Sequence, residues 1–207
     1  HFSVRAVAPI TVSAITAAAV TPLLFDRGSP YIAVPTSVDL TSLLPLLLVL
    51  GALSALLAIA FMRSLLATLA WAKTKNSDMW LLLTATSTMA LIGTVVPEAI
   101  GLGTASVNEL LSGTKALDQA VLMLVAKFLA TVLCIGLGFF GGVFSPALFL
   151  GASLGYIIGL VATLFGFDPG LLVIMTVVGM AAVAGSVIGA PVGVVLIVFE
   201  FTQSYEF

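Results

Sequence analysis

The stretch GFFGGVFSPALFLGASLG, Gly138 to Gly155, decides how this chain folds. It lies within forty residues, Phe128 to Phe167, that carry no charged side chain. An apolar run of that length crosses a membrane as helix. Yet Gly141-Gly142 and Ser145-Pro146 interrupt it midway. A helix broken in hydrocarbon exposes backbone N–H groups, which is tolerated only where they are buried in protein or line a cavity. The stretch therefore predicts a helix break with a purpose.

The rest of the composition agrees. Of 207 residues, 61% are hydrophobic and 8% charged, against about 25% charged in a soluble domain; mean hydropathy is +1.28. Uncharged runs at Ala6–Phe25, Leu40–Met62, Met79–Pro97, Phe128–Phe167 and Pro169–Phe199 predict an all-α polytopic membrane protein, residues 1–207 forming one transmembrane region. The first run contains Pro9 and Pro22 and exceeds the usual 7–15-residue core of a signal peptide. The chain begins with His1 and ends on Phe207, so a fragment of a longer protein is expected. A net charge of −2 without a basic cluster excludes a nucleic-acid surface. One cysteine, Cys134, excludes an intrachain disulfide and any cysteine-based metal cluster, and it reads as core packing. No metal and no cofactor is expected.

Seven segments are predicted: near Val4–Phe25, Leu40–Ala72, Met79–Val96, Asp118–Leu137, Pro146–Phe165, Leu171–Ile188 and Pro191–Ser204. A short non-spanning helix is expected around Ala105–Leu111. Segment two exceeds what stands upright in about 30 Å of hydrocarbon. The loop KTKNSD, residues 73–78, is the most basic spot and is placed in the cytoplasm. Breaks fall at Gly141-Gly142 and at Gly189-Ala190-Pro191, and discontinuous helices point to a transport site near the midplane.

Ser145-Pro146 reads as an N-cap followed by proline at the first helical position, where its missing N–H costs nothing. The Gly141-Gly142 pair allows a sharp turn and close approach of backbone to a ligand. The N–H groups of Val143 and Phe144 then project at a helix start carrying roughly half a positive charge. That is an anion site without a cationic side chain. The competing reading is a packing kink, since Gly and Pro are common in membrane helices.

At GGVFSPALFLGASLG the sequence resembles the CLC family of chloride channels and chloride/proton antiporters. Gly142 to Pro146 matches that family's GxFxP motif. AKFLATVLCIGLGFFGGVFSP and GMAAVAGSVIGAPVGVVLIVFEFTQSY resemble the family's helices on either side. The resemblance is sharp over about 127–205. It implies a bundle of tilted and broken helices with inverted-repeat architecture. It also implies chloride as substrate, binding to the amides of Val143 and Phe144 with Gly142 and Pro146 in support. A homodimer with one pore per subunit, in the cell membrane of a prokaryote, is expected. The family's GSGIP-type and GREGP-type motifs do not occur in this chain, so the resemblance implies most of the second repeat plus the last helix of the first. Whether transport is exchange or passive conduction stays open.

The remaining candidate residues carry weaker signals. Glu200 suits an interfacial or interhelical contact, and Glu98 and Glu109 solvated positions. Lys127, the one charge between Asp118 and Asp168, suits snorkelling or an ion pair better than an anion vestibule. Gly151, Gly155 and Gly159, and again Gly185, Gly189 and Gly193, have the spacing of close helix packing; Tyr156 reads as packing. GASLG satisfies G-x-S-x-G, raising an intramembrane serine hydrolase with Ser153 as nucleophile. Such a serine needs a base, and the sole histidine is His1. A non-transporting membrane subunit is the other alternative; it leaves two broken helices unexplained.

Overall fold

A computed structural model describes Thr16, Val20, residues 40–75 and residues 78–202. The elements are α1 (Leu40–Ala72), α2 (Asp78–Val95), a 3-10 turn (Pro97–Ala99), α3 (Thr104–Leu111), α4 (Leu117–Gly136), α5 (Phe144–Leu164), α6 (Leu171–Ile188) and α7 (Pro191–Thr202). There is no strand among the described residues. Four helices are long and apolar enough to span a membrane: α1, α4, α5 and α6. At 1.5 Å per residue, the 33 residues of α1 reach about 50 Å and must tilt or emerge from the hydrocarbon. The predicted first segment lies outside the described residues, Thr16 and Val20 excepted, as do the side chain of Glu200 and residues 203–207.

The antiparallel pair α5–α6 is the centre of the molecule, and small residues make it close. A Cβ on Gly151 would land on the carbonyl of Gly179, and one on Gly155 on the carbonyl of Met175. A Cβ on Gly159 would meet Leu172 Cα at 3.1 Å. In lipid the hydrophobic effect does not drive helices together, so backbone approach of this kind supplies the van der Waals contact that does. The second glycine series behaves differently. Only Gly185 packs, its Cβ position lying 3.2 Å from Pro191 Cα. Gly189 ends α6 in the left-handed region, φ 72°, and Gly193 faces open space.

Around this pair, Leu148, Phe149, Tyr156 and Met180 form the largest buried cluster, reached by Val107 and Leu110 of α3 and Met123 of α4. Tyr156 is fully buried, and its hydroxyl donates to the carbonyl of Lys115 at 2.6 Å. The tilted α1 crosses α6 with Leu43 and Leu50 and meets α4 through Phe61, whose ring stands edge-on to Phe128 at 5.8 Å. Its other faces expose Leu44, Leu48, Leu56 and Leu66, as a lipid-facing helix should.

One expectation for the connections needs refinement. Glu98 and Glu109 are not merely solvated: Lys115 reaches Glu109 at 2.9 Å and Glu98 at 3.6 Å. The hydrogen bond from Lys115 to Glu109, and the two carboxylate charges, hold the ammonium above its ordinary pKa. A raised lysine pKa contributes stability below the unfolded value and loses it as pH rises through the folded one. The α3–α4 corner should thus keep its tether at neutral pH and loosen above about pH 10.4. Amide exchange at Ser112–Ala116 measured across pH 7–11, corrected for intrinsic rates, checks this. Lys115→Met should cost no more than about 1 kcal/mol, as partly exposed pairs do.

Candidate functional site

The break between α4 and α5 spans Leu137–Val143, and its two sides are finished in opposite ways. On the α4 side the carbonyls are closed off. The N–H of Gly138 donates to Ile135 O at 3.1 Å and that of Phe139 to Cys134 O at 3.1 Å. These are the paired bonds of a Schellman motif, and Gly138 supplies the left-handed residue it requires, φ 106°. The sharp turn is therefore made by Gly138; neither Gly141 nor Gly142 has a positive φ.

On the α5 side the donors are left open. The cap position belongs to Val143, φ −90° and ψ −10°, and no side chain caps it. The first helical bond runs from Ala147 N–H to Val143 O at 3.0 Å. No described residue accepts from the N–H of Val143, Phe144 or Ser145. Pro146, third in the helix, has no N–H to leave open, so it fits the first turn without adding an orphan donor. Ser145 does not cap the helix as expected. It is the second residue of the helix, and its hydroxyl donates to Leu102 O at 2.9 Å. No acidic residue stands in the first turn. The start of α6 offers a contrast, because Asp168 Oδ1 accepts from Gly170 N–H at 2.7 Å. The α5 start has no such carboxylate partner among the described residues.

Side chains fix this open end. Val143 packs against the cluster of Phe61, Leu150 and Val183, and Phe144 against that of Leu148 and Phe149. Beside the break lies a cavity of about 160 Å³, lined by Gly141, Gly142 and Pro146 together with Lys127, Thr131 and Cys134 of α4. Val143 and Phe144 are not among the residues lining it. A Cβ on Gly142 would find nothing within 4 Å.

Lys127 corrects another expectation. It neither snorkels nor forms an ion pair among the described residues. It is 3% exposed, and its ammonium donates to Ala99 O at 3.0 Å and to Gly101 O. It also stands 5.1 Å from the centre of the Phe149 ring. With the Ser145–Leu102 bond, it ties the connection 99–102 onto both helices that flank the break. Gly103 completes the fit, since a Cβ there would strike the Phe149 ring. The sequence signal was present as a lone lysine in an apolar run. Its acceptors are backbone carbonyls, which no residue code announces.

The hydrolase reading fails on geometry. Ser153 is fully buried within regular helix α5, and its hydroxyl has no hydrogen-bond partner, hence no activating base among the described residues. No cluster of possible metal ligands occurs among the described residues. At the second break Gly189 N–H closes the end of α6 on Gly185 O at 2.9 Å, and the first bond of α7 runs from Val194 N–H to Ala190 O at 3.0 Å.

A bundle whose central span is broken, with one end sealed and the other left as open N–H groups, invites comparison with known transporters. The sequence profile described as "Voltage gated chloride channel" matches residues 1–207. The chain belongs to the voltage-gated chloride channel family. Among curated members of that family, a ClcB-like protein of Ralstonia nicotianae is 36% identical over 203 residues, 96% of this chain and 47% of its own. The H(+)/Cl(-) exchange transporter ClcA of Vibrio cholerae is 32% identical over 115 residues, 54% of this chain and 24% of its own. A solved CLC-type fluoride/proton antiporter superposes with TM-score 0.65 at 26% identity, covering 84% of this chain and 43% of that one. The chain thus spans about half or less of the relatives it matches. It is a multi-pass integral membrane protein of CLC-like helical architecture.

Proposed function

We propose that the full-length protein carries chloride across the membrane, with the ion held by the backbone N–H groups of Val143 and Phe144. One observation carries the reading: the start of α5 keeps its first N–H groups free of any acceptor and any first-turn carboxylate. Aligned peptide dipoles place roughly half a positive charge there, and orphan donors aimed by a helix suit an anion. Binding by amides rather than by a fixed cation lets the ion leave again. Gly142 supports the site by keeping the approach open, and Pro146 by filling the first turn of the helix without a further donor. The names of the relatives point both ways, the Vibrio protein and the solved neighbour being named for coupled transport and the Ralstonia protein as a chloride channel, so exchange and passive conduction are both carried into the test. A homodimer with a pore in each subunit, in a prokaryotic cell membrane, belongs to the same reading.

The test is flux. The full-length protein, reconstituted in liposomes under a chloride gradient, should release chloride. Internal pH recorded at the same time separates exchange, which drives protons uphill, from conduction, which does not. A parallel fluoride gradient checks selectivity, given the fluoride-linked neighbour. No anion flux would sink the proposal. A further expectation concerns Gly142→Val. Open space at this Cβ lets the chain fold, while the added isopropyl group obstructs the approach. Chloride affinity should fall by about tenfold or more, the worth of one hydrogen bond to a charged group. Unchanged affinity, measured by calorimetry, would make the glycine pair a kink and nothing else.

A further inference from the structure

Where α1 and α2 meet, the last turns of α1, the first turns of α2 and the end of α4 enclose a groove in two adjoining parts that share Leu137. The larger part, about 530 Å³, is lined by Ala67, Thr68, Trp71, Thr84, Thr88 and Leu133. Its three hydroxyls are all turned inward on their own helices. Thr68 donates to Ser64 O at 2.8 Å, Thr84 to Trp80 O at 2.9 Å and Thr88 to Thr84 O at 2.7 Å. What faces the groove is therefore hydrocarbon, and its size falls within the roughly 300–1,000 Å³ of ligand sites.

The mouth has the opposite character. The second part, about 250 Å³, is lined by Lys73 and Lys75, and among the described residues no carboxylate lines it. Both lysines are exposed, and Lys75 stands 5.1 Å from the Trp71 ring. Trp71 and Trp80 are 52% and 70% exposed, on the two helices that form the mouth. Tryptophan at such a level marks the headgroup region of a bilayer, and paired lysines there attract anionic lipid.

We propose that this groove is a binding site for one anionic phospholipid, its acyl chain in the Thr68–Thr84–Thr88 groove and its phosphate between Lys73 and Lys75. The apolar slot and the basic mouth match the two ends of such a molecule. A zwitterionic lipid would satisfy the slot and meet the lysines with a cancelled charge.

Native mass spectrometry of the detergent-solubilised full-length protein tests this, with phosphatidylglycerol and phosphatidylcholine of identical chains as probes. Phosphatidylglycerol should be retained more tightly. Lys73→Gln and Lys75→Gln should each weaken it by about fivefold, the worth of one basic residue near an anionic surface, and leave phosphatidylcholine unchanged. Thr88→Leu and Thr84→Phe, which fill the slot, should weaken both lipids. Both lysines are exposed in a turn, so folding survives their replacement. Equal retention of the two lipids, or phosphatidylglycerol binding that ignores both lysine changes, overturns the proposal. So does indifference to the slot variants, the result expected if a helix from elsewhere in the full-length protein occupies the groove.

Discussion

Gly155→Val should unfold or severely destabilise the protein, by about 3 kcal/mol or more. That is the upper end of what overpacking a core costs. The magnitude follows from what the side chain would meet. Its Cβ would fall on the Met175 carbonyl, and Met175 C and Thr176 Cα lie 2.7 and 3.0 Å away. These are backbone atoms of a straight helix, with no rotamer to move, so α5 and α6 must separate. Separation dismantles the cluster of Leu148, Phe149, Tyr156 and Met180. Because Val143 and Phe144 lean on the clusters either side, the open helix start would shift as well. Thermal unfolding of the detergent-solubilised protein, followed by tryptophan fluorescence, gives the readout. Gly51→Ala is the control: its Cβ position has no atom within 4 Å, and no loss is expected, only a gain of up to about 1 kcal/mol from helix propensity. A Gly155→Val protein as stable as its parent would show that the close approach is not what holds the pair together.

Lys127→Met should cost about 2–6 kcal/mol, because each of two carbonyls loses its donor at about 1–3 kcal/mol apiece. Two effects compete here. Burying an ammonium is expensive, and methionine would remove that penalty while keeping most of the volume. The carbonyls of Ala99 and Gly101, however, stay where they are, and Gly101 and Gly103 hold the connection in left-handed turns that offer few alternative partners. Loss of the donors should therefore outweigh relief of desolvation. Lys127→Gln, still able to donate to one carbonyl, should recover part of the loss. If methionine were neutral and glutamine no better, the lysine would owe its place to charge rather than to hydrogen bonding. Since Ser145 ties the same connection to α5 at Leu102, Ser145→Ala should add to Lys127→Gln by less than the sum of the two, the mark of a shared strap. A double-mutant cycle on thermal stability measures that shortfall.

Much of the fold could be read from apolar length and punctuation. Leu40–Ala72 and Leu171–Ile188 were predicted with the ends observed, and the other described helices within about two residues. Charges and Gly/Pro pairs bound these runs, and in lipid a run without charge has no stable alternative to helix. The start of α5 was placed two residues late. Serine before proline is a strong local capping signal, but Leu102 O offered the hydroxyl a better partner across the fold. Gly141-Gly142 drew attention as the turn, yet a Schellman closure needs its left-handed residue just past the helix end, and Gly138 stands there. Of the two glycine series, identical in spacing, only Gly151–Gly155–Gly159 lies against a facing helix along its length.

By itself, then, the sequence determined that this chain lives in a membrane, where its helices run, that its central span breaks near Gly141–Pro146, and which family it resembles. Each of these follows from local chemistry: hydropathy over a bilayer's width, and backbone freedom at glycine and proline. The tertiary structure alone decided which glycines bring helices together and that Lys127 and Ser145 bind a distant connection. It also showed that the α4 end of the break is closed while the α5 end stays open. The physical reason is common to all three. Their partners are backbone atoms, carbonyls and Cα positions of other segments, and every residue carries the same ones. Only the path of the chain says which of them meet.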